Sequence, residues 1–246
     1  MAGAGRIGIG TSGYVYRHWR KGVFYPVGLP VREELAFYAS RFGTVELNNP
    51  FYRLPTAEMF SRWRETTPDD FQFAVKASRY ITHVKRLRNV TDELAVFMER
   101  ARHLGPKLGP VLFQLPPTQQ LDLPRLTAFL SLLTSGQRWV LEFRHPTWHT
   151  TEVYQLLAAH EVALCIPVGG GLRPDRITTA AFTYVRMHRG GEPRGGFTRE
   201  QLKAWAAQAD ALSSVGKDVY TYFNNDWEGF AVRDAMTLRE LVGIRR

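Results

Sequence analysis

Eight short blocks of β-branched, aromatic and aliphatic residues recur along the chain: "RIGIGTS" near residues 6–12, "TVELNN" at 44–49, "FQFAVK" at 71–76, "PVLFQL" at 110–115, "RWVLEFR" at 138–144, "VALCIPV" at 162–168, "FTYVRMH" at 182–188 and "DVYTYFNN" at 218–225. Blocks of this length and composition predict strands. Most are separated by segments whose apolar residues return every three or four positions, the period of a helix with one buried face. In "TREQLKAWAAQADALSSVG", Leu202, Trp205, Ala206 and Ala209 share a face, Thr198 and Gln201 have capping-box spacing, and Gly216 marks the stop. Comparable segments follow each of the first five strands, and "FAVRDAMTLRELVG" follows the eighth. The sixth connection, "GGGLRPDRITTA", is too rich in Gly and Pro for more than a turn of helix. Strand then helix, repeated over 246 residues, predicts an α/β protein: a single (β/α)8 TIM-like barrel domain spanning 1–246, irregular after the sixth strand. An open doubly wound sheet is the competing arrangement; the absence of an obvious linker and the character of the strand ends favour the barrel.

Those ends are polar. "TVELNNPFYRLP" begins as a buried strand, then crowds Glu46, Asn48 and Asn49 together before Pro50 breaks the ladder. The other strands do likewise: Thr11 and Ser12, Lys76, Gln114, Glu142 and Arg144, Arg186 and His188, Tyr222 and Asn224. Several are spaced i, i+2, which in a strand is one face, so they are expected to converge in the mouth at the carboxyl ends of a barrel. Only the sixth strand contributes none. Burying unpaired charge is expensive, so convergence implies mutual pairing, a ligand, or both. Lys76, Arg144 and Arg186 against Glu46 and Glu142 leave the mouth slightly cationic, and guanidinium forks suit a carboxylate or phosphate. Glu46 and Glu142 beside arginine stay ionised, as a general base requires, and His188 is the natural proton carrier. Glu46, Glu142 and His188 would also make a plausible divalent-metal set. The neighbouring cations oppose metal binding, and no HxH, HExxH or cysteine pair accompanies the set.

Composition narrows the class without choosing a reaction. Apolar residues form 44% of the chain and charged residues 22%, enough for a sizeable core and against disorder. No segment approaches the roughly 18 apolar residues of a membrane helix, and a cytoplasmic location with no membrane partner is expected. Cys165 is the sole cysteine and lies in an apolar run, so it reads as a packed core thiol. The formal net charge of +9 makes anions, nucleic acid included, the expected partners. The densest basic cluster is Arg79, Lys85, Arg86 and Arg88, which is either a solvated loop or an anion contact.

Other motifs compete. "GIGTSG" at 8–13 matches G-x-G-x-x-G, but its glycines lie inside the strand and no amphipathic helix follows, against a dinucleotide site. "HRGGEPRGG" at 188–196, with Arg189 and Arg194, is a candidate phosphate loop after the seventh strand or simply a mobile one. Tyr14, Tyr16, Trp19, Phe24, Tyr25, Phe51 and Tyr52 either wall the pocket, stack on bases or anchor loops. Glu46 and Glu142 as a glycosidase pair fits poorly with Arg144 competing for them.

The ordered set "GTSGY", "FYP", "VELNNPFYRLP", "FAVK" with "ITH", "LGPVLFQLPP", "VLEFRHPTW", "YVRMH" and "YFNND" resembles the family called domain of unknown function 72, from about Gly8 to Leu241. The resemblance implies a TIM-like barrel and assigns no activity. It implies recurrent polar positions at Thr11, Ser12, Glu46, Asn48, Tyr52, Lys76, His83, Gln114, Glu142, Arg144, Arg186, His188, Asn224 and Asn225. Asn49 and Pro50 stand where small hydroxyl residues are more usual, "CIPVGG" lacks an acid often found there, and "HRGG" replaces a simpler His-Gly.

The expectation is therefore a barrel that binds a small anion through Thr11, Ser12, Asn48, Tyr52, Lys76, Gln114, Arg144, Arg186, Asn224 and Asn225. Glu46, Glu142 and His188 would serve hydrolysis or isomerisation. A nucleic-acid-binding protein or nuclease, and a non-catalytic ligand-binding module, are the alternatives.

Overall fold

The structure is a computed structural model, described over residues 3–169 and 177–244. Eight parallel strands follow the chain: β1 Ile7–Thr11, β2 Thr44–Leu47, β3 Gln72–Lys76, β4 Leu108–Gln114, β5 Trp139–Glu142, β6 Ala163–Val168, β7 Phe182–Met187 and β8 Asp218–Phe223. They pair in the order β1-β8-β7-β6-β5-β4-β3-β2, so each strand lies beside its sequence neighbours, and β1 returns to β8. This is the TIM-like barrel, and the open doubly wound sheet is excluded because that arrangement reverses strand order.

Helices α1 Glu34–Arg41, α2 Asn49–Tyr52, α3 Ala57–Thr66, α4 Thr91–Ala101, α5 Leu123–Leu130, α6 Thr151–Ala159, α7 Arg199–Ser214 and α8 Phe230–Leu241 occupy the connections. Among the described residues no helix follows β6; most of the Gly/Pro-rich stretch at 170–176 lies outside them. End signals act as their chemistry dictates. Thr56, Asp122, Thr150 and Thr198 each accept from a backbone N–H of the next turn, and Gln201 completes the box at α7. The sequence pattern misses α2, because Pro50 reads as a strand breaker. Pro50 instead occupies the first turn of this short helix, where its missing N–H leaves no bond unmade.

The barrel closes least regularly between β1 and β2, joined by a single bridge at Ser12 and Glu46. The Tyr38 hydroxyl of α1 fills the gap: it accepts from the Thr11 amide at 2.9 Å, exchanges a bond with Thr11 Oγ1 at 2.9 Å and reaches the Thr44 carbonyl at 3.2 Å. Gly10 permits this approach, since a Cβ there would stand 2.2 Å from the Thr44 oxygen.

Two apolar compartments follow from strand alternation. Outward side chains and the helices form the larger, with Phe42, Phe60, Phe73, Phe113 and Trp148 fully or almost fully buried. Each such side chain contributes about 1.5–3 kcal/mol by leaving water. The barrel interior holds Ala74, Leu112, Val140, Ala163, Cys165, Phe182, Tyr184, Tyr220 and Tyr222. Bulky aromatics from β7 and β8 thus lean against small residues from β3 and β6, which lets the lumen fill. No helix among the described residues is long and apolar enough to cross a membrane.

Candidate functional site

Above this apolar plug the inward positions become charged. Arg186 of β7 stands at the centre, 2% exposed. Its Nε and Nη2 donate to Glu46 Oε2 and Oε1 at 3.0 and 2.8 Å, and its Nη1 donates to Glu142 Oε2 at 2.9 Å. One guanidinium therefore ties β2 to β5 across the lumen. Tyr184, two residues earlier on the same face of β7, donates to Glu46 Oε2 at 2.6 Å. Glu142 Oε1 receives Arg144 Nη2 at 2.5 Å and Gln114 Nε2 at 3.3 Å.

Arg144 Nη2 also lies 2.9 Å from His188 Nε2, and the Asn224 amide lies 3.1 Å from His188 Nδ1. A guanidinium can only donate, so Nε2 accepts and a neutral ring carries its proton on Nδ1; this requires the Asn224 amide in its flipped assignment, with Oδ1 in the place of the Nδ2 that lies 3.1 Å from Nδ1. Burial, with the Arg186 and Arg144 charges, holds His188 below its ordinary value despite Glu142. The 3.5 Å approach of Nε2 to Glu142 is consequently not an ion pair at neutral pH.

Glu46 and Glu142 are completely buried. Burial alone would push both carboxyl groups up. The Arg186 charge and the hydrogen bonds from Tyr184 and Arg186 override it at Glu46, and the Arg186 and Arg144 charges do so at Glu142, leaving both below the ordinary carboxylate value. Lys76 differs. Burial first, then Arg186, bring it down to about 8 against the pull of both glutamates, and its ammonium lies 4.0 Å over the Phe51 ring. Among the described residues it makes no ion pair. Ser12 Oγ, Asn48 Oδ1 and Arg144 Nε are buried without a partner.

The structure thus gathers Ser12, Glu46, Asn48, Lys76, Gln114, Glu142, Arg144, Arg186, His188 and Asn224 at one end of the barrel. Two expected residues point away from it, and two more stand at its margins. Thr11 alternates outward, where its hydroxyl meets Tyr38 and the Gly13 carbonyl. Asn225 also points outward, donating to Gly195 O and Asp234 Oδ2. Tyr52, next to the Phe51 that covers Lys76, stands 74% exposed and lies close enough to Tyr16 to help raise its phenol. Tyr222 is one layer lower, bonded through its hydroxyl to Thr44 Oγ1 at 2.7 Å.

Tyr184 escaped the sequence reading although its i, i+2 spacing to Arg186 is the signal that finds it. Tyr16, whose hydroxyl donates to the Ser12 carbonyl, carries no such signal. His83, in the turn after β3, packs its ring 5.0 Å from Phe51. The loop at 188–196 does not cradle an anion with its amides: those of Gly190, Gly191, Glu192 and Gly195 are bonded within the loop or to Gln201, and Arg194 pairs with Glu228. The metal alternative does not fit either. Arg186 occupies the position a cation would take between the carboxylates, and His188 Nε2 is already accepting from Arg144.

The model of the family described as "Protein of unknown function DUF72" matches residues 8–246. The UPF0759 protein YunF of Bacillus subtilis is 27% identical over 89% of this chain and 90% of its own length. The UPF0759 protein YecE of Escherichia coli is 37% identical over 129 residues, so the match spans 52% of this chain and under half, 46%, of that relative. A DUF72 family protein from Thermotoga maritima superimposes with a TM-score of 0.85 at 27% identity, covering 96% of this chain and 99% of that one. With motif, architecture and polar mouth all in agreement, the chain belongs to the DUF72 family.

Proposed function

We propose that the mouth binds a small hydroxylated anion, a carboxylate or phosphate, and exchanges protons with it. The observation that carries this reading is Lys76: in a mouth where Arg144, Arg186, Glu46 and Glu142 are all paired, its ammonium alone has no carboxylate among the described residues. Three positive charges against two negative ones leave the place of one anion open. Lys76 and the unmet Arg144 Nε supply donors for it; the unmet Asn48 oxygen and Ser12 hydroxyl suit a hydroxyl on the same molecule.

Acid–base work in this reading falls to Lys76 and His188 more than to the two glutamates. A catalytic base must release and regain its proton near the working pH, and carboxylates clamped by guanidinium hold theirs too weakly. Glu46 and Glu142 then act by fixing Arg186 and, through Arg144, the acceptor state of His188. Isomerisation or hydrolysis of a hydroxy acid or sugar phosphate is the reaction class. The test is a thermal-shift and turnover screen of such compounds, with Lys76→Met alongside. Stabilisation by at least one compound, abolished in Lys76→Met, supports the reading; no response from any compound removes it. Binding without turnover would mark a ligand-binding module instead.

A second reading rests on the turn after β3. Burial together with the charges of Lys76, Arg79 and Arg86 depresses His83, so these cations share one field beside the mouth. Such a rim suits a nucleic-acid backbone. Oligonucleotide binding that weakens steeply with salt supports it, and flat titrations at low salt dismiss it.

A further inference from the structure

On the outer side of α2 lies a second cavity, a groove of about 890 Å³ walled by Tyr14, Tyr52, Arg53, Met59, Trp63 and Arg100. Its volume lies in the range of small-molecule sites. Along α2, Phe51 covers Lys76, while the next residue, Tyr52, lines the groove.

Three features of the lining point to one chemistry. First, Tyr52 is 74% exposed, and Met59 beside it 40%, so a broad apolar face stands open to a flat partner. Second, among the described residues no carboxylate lines the groove, whereas two guanidiniums do. Arg100 is held at the wall by donating to the Pro55 carbonyl at 3.3 Å, and the Arg53 guanidinium makes no hydrogen bond or ion pair among the described residues. Third, Tyr14 lines the wall, and a phenol keeps its proton and so can donate at physiological pH.

We propose that this groove binds a planar aromatic anion of the nucleoside monophosphate class, its ring stacked on Tyr52 and its phosphate held by Arg53 and Arg100. An aromatic platform gives ring affinity with little base preference, and a pair of guanidiniums fits a phosphate better than a carboxylate-free wall of neutral donors would. The ribose and base edge meet the Tyr14 hydroxyl and the Asn49 and Thr56 side chains along the wall. Lys76 is not among the described residues that line this groove, so occupancy here is expected without use of the Lys76 ammonium.

Isothermal titration calorimetry with adenosine monophosphate, adenosine and inorganic phosphate tests it on the full chain. Adenosine monophosphate is expected to bind more tightly than either fragment. Tyr52→Ala should weaken it about tenfold or more, the loss one stacked ring produces, and Arg53→Gln should narrow the gap between nucleotide and nucleoside. Both side chains are exposed, so neither change threatens the fold. Lys76→Met should leave this binding unchanged. Absence of nucleotide binding, or binding untouched by Tyr52→Ala, overturns the proposal; binding lost in Lys76→Met but kept in Tyr52→Ala places the nucleotide in the mouth and overturns it equally.

Discussion

Lys76 and Phe51 face each other at 4.0 Å, ammonium over ring, where the short α2 folds back across the carboxyl end of β3. The ring face offers a buried cation some electrostatic relief but accepts no conventional hydrogen bond, so the ammonium is held at a cost.

That cost is measurable as pH dependence. Lys76 titrates at about 8 in the folded protein against an ordinary value of 10.5, so between those values the unfolded chain binds more protons at this site. Stability then rises with pH across that window, by up to about 3 kcal/mol from this group, and the penalty is fully present below about 8. Lys76→Met should be more stable than the parent protein at pH 7 and lose the advantage by pH 10. Urea denaturation of both proteins at pH 7, 8.5 and 10 reads the difference directly; a constant gap across that range would contradict it.

Arg186 supports the opposite expectation. Removing its charge as Arg186→Met leaves two fully buried carboxylates without their main counter-ion, a change that costs about 3–5 kcal/mol. Adding Glu46→Gln and Glu142→Gln to the same chain should recover much of that loss, since amides need no cation. The denaturation midpoints of the single and triple variants decide it. If the triple variant is no better than the single, the network is not the source of the loss.

How much of this was legible in advance follows from strand geometry. Alternation at period two placed Glu46 with Asn48, Glu142 with Arg144 and Arg186 with His188 in one mouth, because a strand cannot put i and i+2 on opposite faces. The same rule, applied to neighbours, excludes Thr11 beside Ser12 and Asn225 beside Asn224; the list of polar strand ends had pooled the first pair, and the family resemblance the second. What alternation cannot reveal is distance across the lumen. That Arg186 spans both carboxylates depends on the small side chains of β6 and on the close β1–β2 seam, which are tertiary facts. Helix α2 was hidden for a different reason: four residues are too few for any period to show, and Pro50 has two structural meanings.

The seam itself predicts a local defect. Tyr38→Phe removes the acceptor of the buried Thr11 amide and a donor to the Thr44 carbonyl, leaving groups that water cannot reach. A loss of about 1–3 kcal/mol is expected. Hydrogen exchange at the Thr11 amide should accelerate more than exchange in β4 or β7, which keep their ladders. Uniform acceleration across all strands would show instead that the hydroxyl stabilises the fold globally and not the junction.

His188 offers the sharpest test of the mouth's electrostatics. Its ring is neutral because burial and two arginines oppose a further positive charge, and the flipped Asn224 amide answers its Nδ1 proton with a neutral oxygen. In the folded parent protein the ring should titrate below its ordinary 6.5. Because this folded value is depressed, protonation favours the unfolded chain, and the site contributes to the fall in stability as pH drops through 6.5. Asn224→Asp replaces the neutral oxygen with a charged one, which favours the imidazolium and should raise the titration by about one pH unit or more. Proton–nitrogen correlation spectra of the imidazole across pH 4 to 9 follow both. A ring that stays neutral in Asn224→Asp down to the same pH as in the parent would mean that Asn224 does not hold Nδ1, and the proton would then belong on Nε2 with Arg144 displaced from it.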